Sequence, residues 1–254
     1  MKSKALLAAI VLSMFSTAAH SAQVIDLTVG GTNLTVWGKP KPAEPNKPPP
    51  SSSNPSNPSA NPMDPGIWEI GPIINGRNYS VGMPLNPSPH PNGGWYFDIP
   101  YPTAAEGHAH YVTFPHGTLT GKSRITMRYR LEMDPGVQLV PTKEQPGVPS
   151  ILTMYFQRAG DNWSASGEYE TYRWWGTFAS VTPVKAGEYE ISVPLDANWT
   201  AIQTSSARSN PTGFSNAKTN ADRVGFTLGG GDGYGHGVYA TGPARFVVTS
   251  FVVE

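Results

Sequence analysis

The residues best suited to chemistry in this chain fall in two stretches. The first runs Tyr155-Phe156-Gln157-Arg158-Ala159-Gly160-Asp161-Asn162-Trp163 and continues through Glu168, Tyr169, Tyr172, Arg173, Trp174 and Trp175. Aromatic rings offer flat apolar faces with polar rims, and a guanidinium fork grips oxygen pairs, whether hydroxyls or carboxylates. Rings and forks together suit a ligand with C–H faces and many oxygens. If each stacked ring removes roughly 50 Å² of apolar surface from water, it contributes on the order of 1 kcal/mol. Two or three rings with a few hydrogen bonds then reach millimolar to micromolar affinity. The candidate ligand contacts here are Arg158, Asp161, Trp163, Tyr172, Arg173 and Trp174. The same rings can equally fill a core. Adjacent tryptophans on a strand point opposite ways, so one of Trp174 and Trp175 is expected inside and the other at least partly exposed.

The second stretch, Gly229 to Gly237, carries Asp232, Tyr234 and His236 among glycines. No Gly-Lys-Ser/Thr follows and no helix is expected there, so the phosphate-cradle readings fail. The loop either connects two strands permissively or presents Asp232, Tyr234 and His236 to a ligand at a rim. His108 and His110, with His116 beyond them, have the His-x-His spacing that puts two imidazoles on one strand face. They are the candidate metal ligands, although such spacing is common by chance. Arg124, Arg128 and Arg130 alternate along one strand, and these three with Arg158 and Arg173 fit a solvated face of cross-strand ion pairs better than a site.

No nucleophile elbow and no His-Glu-x-x-His occurs, and the spacing of Glu132, Asp161, Glu168, Glu170 and Asp232 singles out no carboxylate pair for glycoside cleavage. No catalytic residue is assigned. With 18 basic and 18 acidic residues the formal charge is zero, which argues against nucleic acid and gives no pull toward anionic membranes. The absence of cysteine removes disulfides and thiolate chemistry. The 27 Gly and 26 Pro oppose long helices.

Four segments must position these residues. Residues 1–22 combine basic Lys2 and Lys4, an apolar run to Phe15 and small residues. This is the pattern of a secretory signal cleaved after Ala19 or Ala22 and too short to span a bilayer. The chain is therefore expected to be secreted, periplasmic or at the cell surface. Residues 23–38 place two β-branched runs around Gly30-Gly31 and spell a hairpin. Such a hairpin is marginal alone and could add strands to a protein partner's sheet. Residues 39–66 are a Pro/Ser/Asn-rich linker.

Residues 67–254 fit one domain with strand-like runs at 95–99, 111–114, 124–133, 151–158, 169–178, 189–193, 224–228, 237–240 and 245–253, and one short helix at 215–223. Ile125, Met127, Tyr129, Leu131 and Met133 face one way while the charged residues between them face the other. The expected fold is an all-β antiparallel sandwich, of jelly-roll topology. Trp95-Tyr96-Phe97-Asp98-Ile99-Pro100, Tyr111-Val112, Gly121 to Arg130, Val224-Gly225-Phe226-Thr227 and Ala244-Arg245-Phe246-Val247-Val248 give most of 95–253 a pattern that resembles jelly-roll carbohydrate-binding modules of the galactose-binding-like kind. That resemblance implies a non-catalytic, secreted polysaccharide-binding protein, with no required cofactor and often a structural calcium ion. The alternatives are a polysaccharide lyase or glycoside hydrolase on the same fold, and a structural or assembly protein of the cell surface.

Overall fold

Alternation of residue type sets the longest strands. In Arg124–Met133, Ile125, Met127, Tyr129 and Leu131 are buried while Arg124 and Arg128 are exposed. That one-sided burial is what an antiparallel sheet with a wet face requires. The computed structural model describes residues 61–254 apart from 144–146, 178–181, 184, 203–204 and 232–233, with 182–183 as backbone only. Before residue 61 it describes the backbone of Val24–Val29 and Thr32–Trp37.

Those two strands pair antiparallel, with Val29 opposite Thr32 and Val24 opposite Trp37, so the two runs flank Gly30-Gly31 as a hairpin. They belong to a separate unit from the sandwich.

In the sandwich the smaller sheet runs, edge to edge, Gly187–Pro194, Arg124–Met133, Ala244–Val253, Trp95–Asp98 and Ser88–Pro89. The larger runs Thr200–Ala201, Arg173–Trp175, Ser150–Arg158, Ala221–Gly230, Tyr111–Pro115 and Glu69–Gly71, and Thr182–Pro183 also pairs with Ser150–Arg158. Every pairing is antiparallel. One core joins the sheets: Phe226 stacks on Phe246 at 5.1 Å between centroids, and Trp68 lies 4.5 Å from Trp95 and 4.6 Å from Phe114. Such pairs contribute about 0.5–1.5 kcal/mol each beyond area burial. The fold is an all-β sandwich.

Three expected boundaries are corrected. The Pro62 carbonyl accepts hydrogen bonds from the indoles of both Trp68 (2.8 Å) and Trp95 (3.1 Å), so the domain takes in residues from 61 rather than starting at 67. The helix is Pro211–Thr219 instead of 215–223, and Arg223 lies in a strand. Its start is set by the Asn210 side chain, which accepts the Gly213 N–H at 2.8 Å, and by Pro211 in the first turn. The run from 169 is not one strand. Gly167–Thr171 is a 3-10 turn, entered through Ala165 and Gly167 at φ 57 and 61, and only Arg173–Trp175 is extended.

Candidate functional site

The site forms on the face of the larger sheet turned away from the core. Leu152, Met154 and Phe156 face the core, so period two sends Thr153, Tyr155 and Gln157 to the other side. Register then aligns Trp175 with Tyr155 and Arg173 with Gln157 on one flank. On the other flank it aligns Arg223 with Gln157, Thr113 with Gly225 and Glu69 with Thr113.

Unlike the smaller sheet, this face is covered. Tyr155, Thr153 and Thr227 are fully buried, and a row of rings runs Trp163, Tyr111, Tyr155, Trp175, Tyr234. Successive centroids lie 5.5, 5.0, 5.5 and 6.3 Å apart. Two glycines let the covering loop lie flat on the rings below it. A Cβ at Gly235 would run into the Tyr111 hydroxyl, and one at Gly237 would sit 2.5 Å from His110 Nε2. The His110 Nδ1 bonds the Gly235 carbonyl at 3.0 Å. Burial, with smaller contributions from His108, Lys143 and His236, lowers the His110 pKa to about 4.

Opposite charges on this face are paired internally. The Asp161 side chain has no exposed surface. Its Oδ1 accepts the Trp163 N–H at 2.9 Å, its Oδ2 accepts Gln157 Nε2 at 3.0 Å, and Arg173 Nε lies 2.9 Å from Oδ2, close enough for ion pairing but not aligned as a hydrogen bond. The Arg173 guanidinium packs 4.7 Å from the Trp163 ring centre. Arg223 donates from Nε to Thr113 Oγ1 at 2.9 Å and places Nη2 3.3 Å from Glu69 Oε1. A register shift between Gln157 and Arg158 re-aims Arg158, and it stacks on the Tyr172 ring at 4.3 Å.

A cleft of about 390 Å³ opens over this arrangement, with Tyr111, Gln157, Arg158, Asp161, Trp163 and Arg223 in its lining. Burial pushes Tyr111 up to about 12, against the pull of Arg173, and drives Tyr155 well above the ordinary phenol value. Both hydroxyls therefore stay protonated at neutral pH. On the same face, Tyr155 Oη, Trp175 Nε1 and Arg173 Nη2 are buried without a hydrogen-bond partner, as are Thr153 Oγ1 and Thr227 Oγ1. Such a concentration on one face is unusual, because buried polar atoms are normally satisfied.

Of the residues singled out by sequence, Arg158, Asp161 and Trp163 line the cleft, Arg173 lies against Trp163, and Tyr234 closes the row of rings. Two are corrected. Trp174 is fully buried in the core, 4.9 Å from Phe214 of the helix, because its strand parity points it inward. Tyr172 is only 7% exposed and serves as the platform under Arg158. His236 is exposed on the covering loop, and Asp232 lies outside the described residues. Sequence reasoning missed Tyr111, Tyr155, Gln157, Arg223 and Glu69. The available signal was parity: each shares its face with Trp175 or Arg173 through the ladder.

The structure brings His108 and His110 together without a third ligand of the His, Cys, Asp or Glu kind among the described residues. Their rings are 4.7 Å apart, but both Nδ1 atoms face backbone carbonyls and His110 Nε2 is pressed against Gly237. Among the described residues no group of three or more His, Cys, Asp or Glu side chains is placed to hold a metal ion. No helix among them is long and apolar enough to cross a membrane. No protein-family model and no curated protein matches the chain.

Proposed function

We propose that this chain is an exported, non-catalytic saccharide-binding protein whose ligand lies in the cleft on the covered face of the larger sheet. The observation that carries the reading is a cleft lined by the half-buried Trp163, the stacked Arg158 and the protonated Tyr111, with Asp161 and Glu69 each paired to an arginine. Flat apolar surface beside fixed hydrogen-bonding groups is the composition of small-ligand sites, and pyranose rings match it. The likeness in pattern to jelly-roll carbohydrate-binding modules and the signal-like residues 1–22 support the same reading.

The enzymatic alternative has less to support it. Asp161 is fully engaged, Glu69 pairs with Arg223, and Tyr111 and Tyr155 hold their protons more tightly than free phenols. A general base needs the opposite shift. Affinity electrophoresis through gels containing a panel of plant, algal and microbial polysaccharides tests the proposal. Retardation by at least one, lost in Trp163→Ala, is the expected result. Unretarded migration of the folded protein in every gel overturns it.

A further inference from the structure

The strand Ala221–Gly230 breaks its alternation at its start. Ala221 and Val224 both pack in the core, which leaves the two residues between them, Asp222 and Arg223, to the outer side. The ladder to Ser150–Arg158 gives the reason. Gln157 pairs with Arg223 and Arg158 with Ala221, so Asp222 is an extra residue with no partner across the ladder. Bulges of this kind re-aim side chains and recur beside active sites. This one sets Arg158 and Asp222 in the lining of the same cleft. Both are fixed at the backbone: the Arg158 N–H donates to the Tyr172 carbonyl at 2.7 Å, and the Asp222 carbonyl accepts the His116 N–H at 3.0 Å.

Charge decides what these two residues can take. Glu69, Asp161 and Asp222 line the cleft with Arg158 and Arg223. Arg223 pairs with Glu69, and Arg173, packed on Trp163, pairs with Asp161. That leaves Arg158 and Asp222, neither of them ion-paired among the described residues. Arg158 is half-buried and stacked on Tyr172, and the Asp222 side chain is exposed. With Arg173 counted, the charges at the cleft sum to zero. A carboxylate, sulfate or ammonium on the ligand would upset that balance, and an unbalanced charge in a recognition site selects against the partner that brings it. A hydroxyl adds no charge and both donates and accepts, so hydroxyls can satisfy the carboxylate and the guanidinium together.

We propose that Arg158 and Asp222 are a specificity pair of the cleft, Asp222 accepting from a sugar hydroxyl and Arg158 donating to sugar oxygens, and that the ligand is a neutral saccharide in preference to a uronate, a sulfated sugar or an amino sugar. This rests on the saccharide-binding reading and names the sugar class.

The test is calorimetry on the full chain at constant ionic strength with soluble polysaccharides: neutral β-glucan, galactomannan, arabinoxylan and galactan against polygalacturonate, alginate, carrageenan and chitosan. At least one neutral polymer is expected to bind, and more tightly than any charged one. Asp222→Asn alters an exposed side chain with no partner among the described residues, so the urea midpoint is expected to stay unchanged. The same variant is expected to bind the neutral polymer about tenfold more weakly, the loss of one charge-assisted hydrogen bond. It also leaves Arg158 unbalanced, so the affinity for polygalacturonate relative to the neutral polymer is expected to rise. A charged polymer bound most tightly by the natural chain, or unchanged neutral binding in Asp222→Asn, overturns the specificity pair and leaves saccharide binding standing. Failure of every polymer with a folded protein overturns both.

Discussion

Both outward faces of the sandwich carry arginine–carboxylate pairs, and the pairs behave oppositely. On the smaller sheet Arg128 pairs with Glu190, Arg130 with Glu132 and Glu188, and Arg245 with Asp98, at distances from 2.5 to 3.8 Å. These groups stand in solvent: the Arg128 and Glu190 side chains are 67% and 49% exposed. On the larger sheet Arg173 and Asp161 are 10% and 0% exposed under a cover of rings. Arginine–carboxylate pairs therefore mark a site only where the face is removed from water, because dielectric screening sets what a charge pair is worth.

The sharpest break between the faces is expected from deleting one partner of each pair. Asp161→Ala strands the buried Arg173 and frees the Trp163 N–H and Gln157. It should cost about 3–5 kcal/mol in urea unfolding. The counterpart Glu190→Ala on the wet face should cost less than about 1 kcal/mol. Equal losses would erase the distinction.

The cover also makes the larger face sensitive to acid. His110 is held neutral beneath Gly235 with its pKa lowered from 6.5 to about 4. The unfolded chain takes up this proton first, so stability falls as pH drops through 6.5 and stops falling from this source below about 4. The total loss is roughly 3 kcal/mol. Burial lowers His116 too, which adds in the same direction. In His110→Gln, unfolding measured from pH 7 to 4 should lose most of that slope. An unchanged slope would place the titration elsewhere. The smallest of the larger-face effects is on binding. Trp163→Ala should weaken a retained saccharide by about tenfold, roughly 1.4 kcal/mol, while Tyr96→Ala on the smaller sheet should leave it unchanged.

Much of the sandwich was legible because its signals are local. Arg124–Met133 alternates cleanly, and the hairpin turn at Gly30-Gly31 sits between matched runs. The helix start was local too, in Asn210-Pro211, but those residues precede the segment expected to be helical. Trp174 and Trp175 do diverge, but neither is exposed: Trp175, expected to be at least partly open to solvent, is 8% exposed among Tyr155 and Tyr234, and which one faces the core depends on where the strand begins. That was hidden by the 3-10 turn at Gly167–Thr171. The site was legible only at the loop, in Arg158, Asp161 and Trp163. Its floor comes from Tyr111, Gln157 and Arg223, brought together from three strands by register. A single sequence does not print which distant strands pair.

One measurement tests the contrast between the two faces most directly. Full-length protein labelled with ¹⁵N is titrated with the saccharide that it retains, and the indole and arginine side-chain signals are followed. The expected result is that Trp163, Trp175, Arg158 and Arg173 shift together along one binding isotherm, while Arg128, Arg130 and Arg245 stay fixed. Shifts confined to Arg128, Arg130 and Arg245, with Trp163 unmoved, would contradict it.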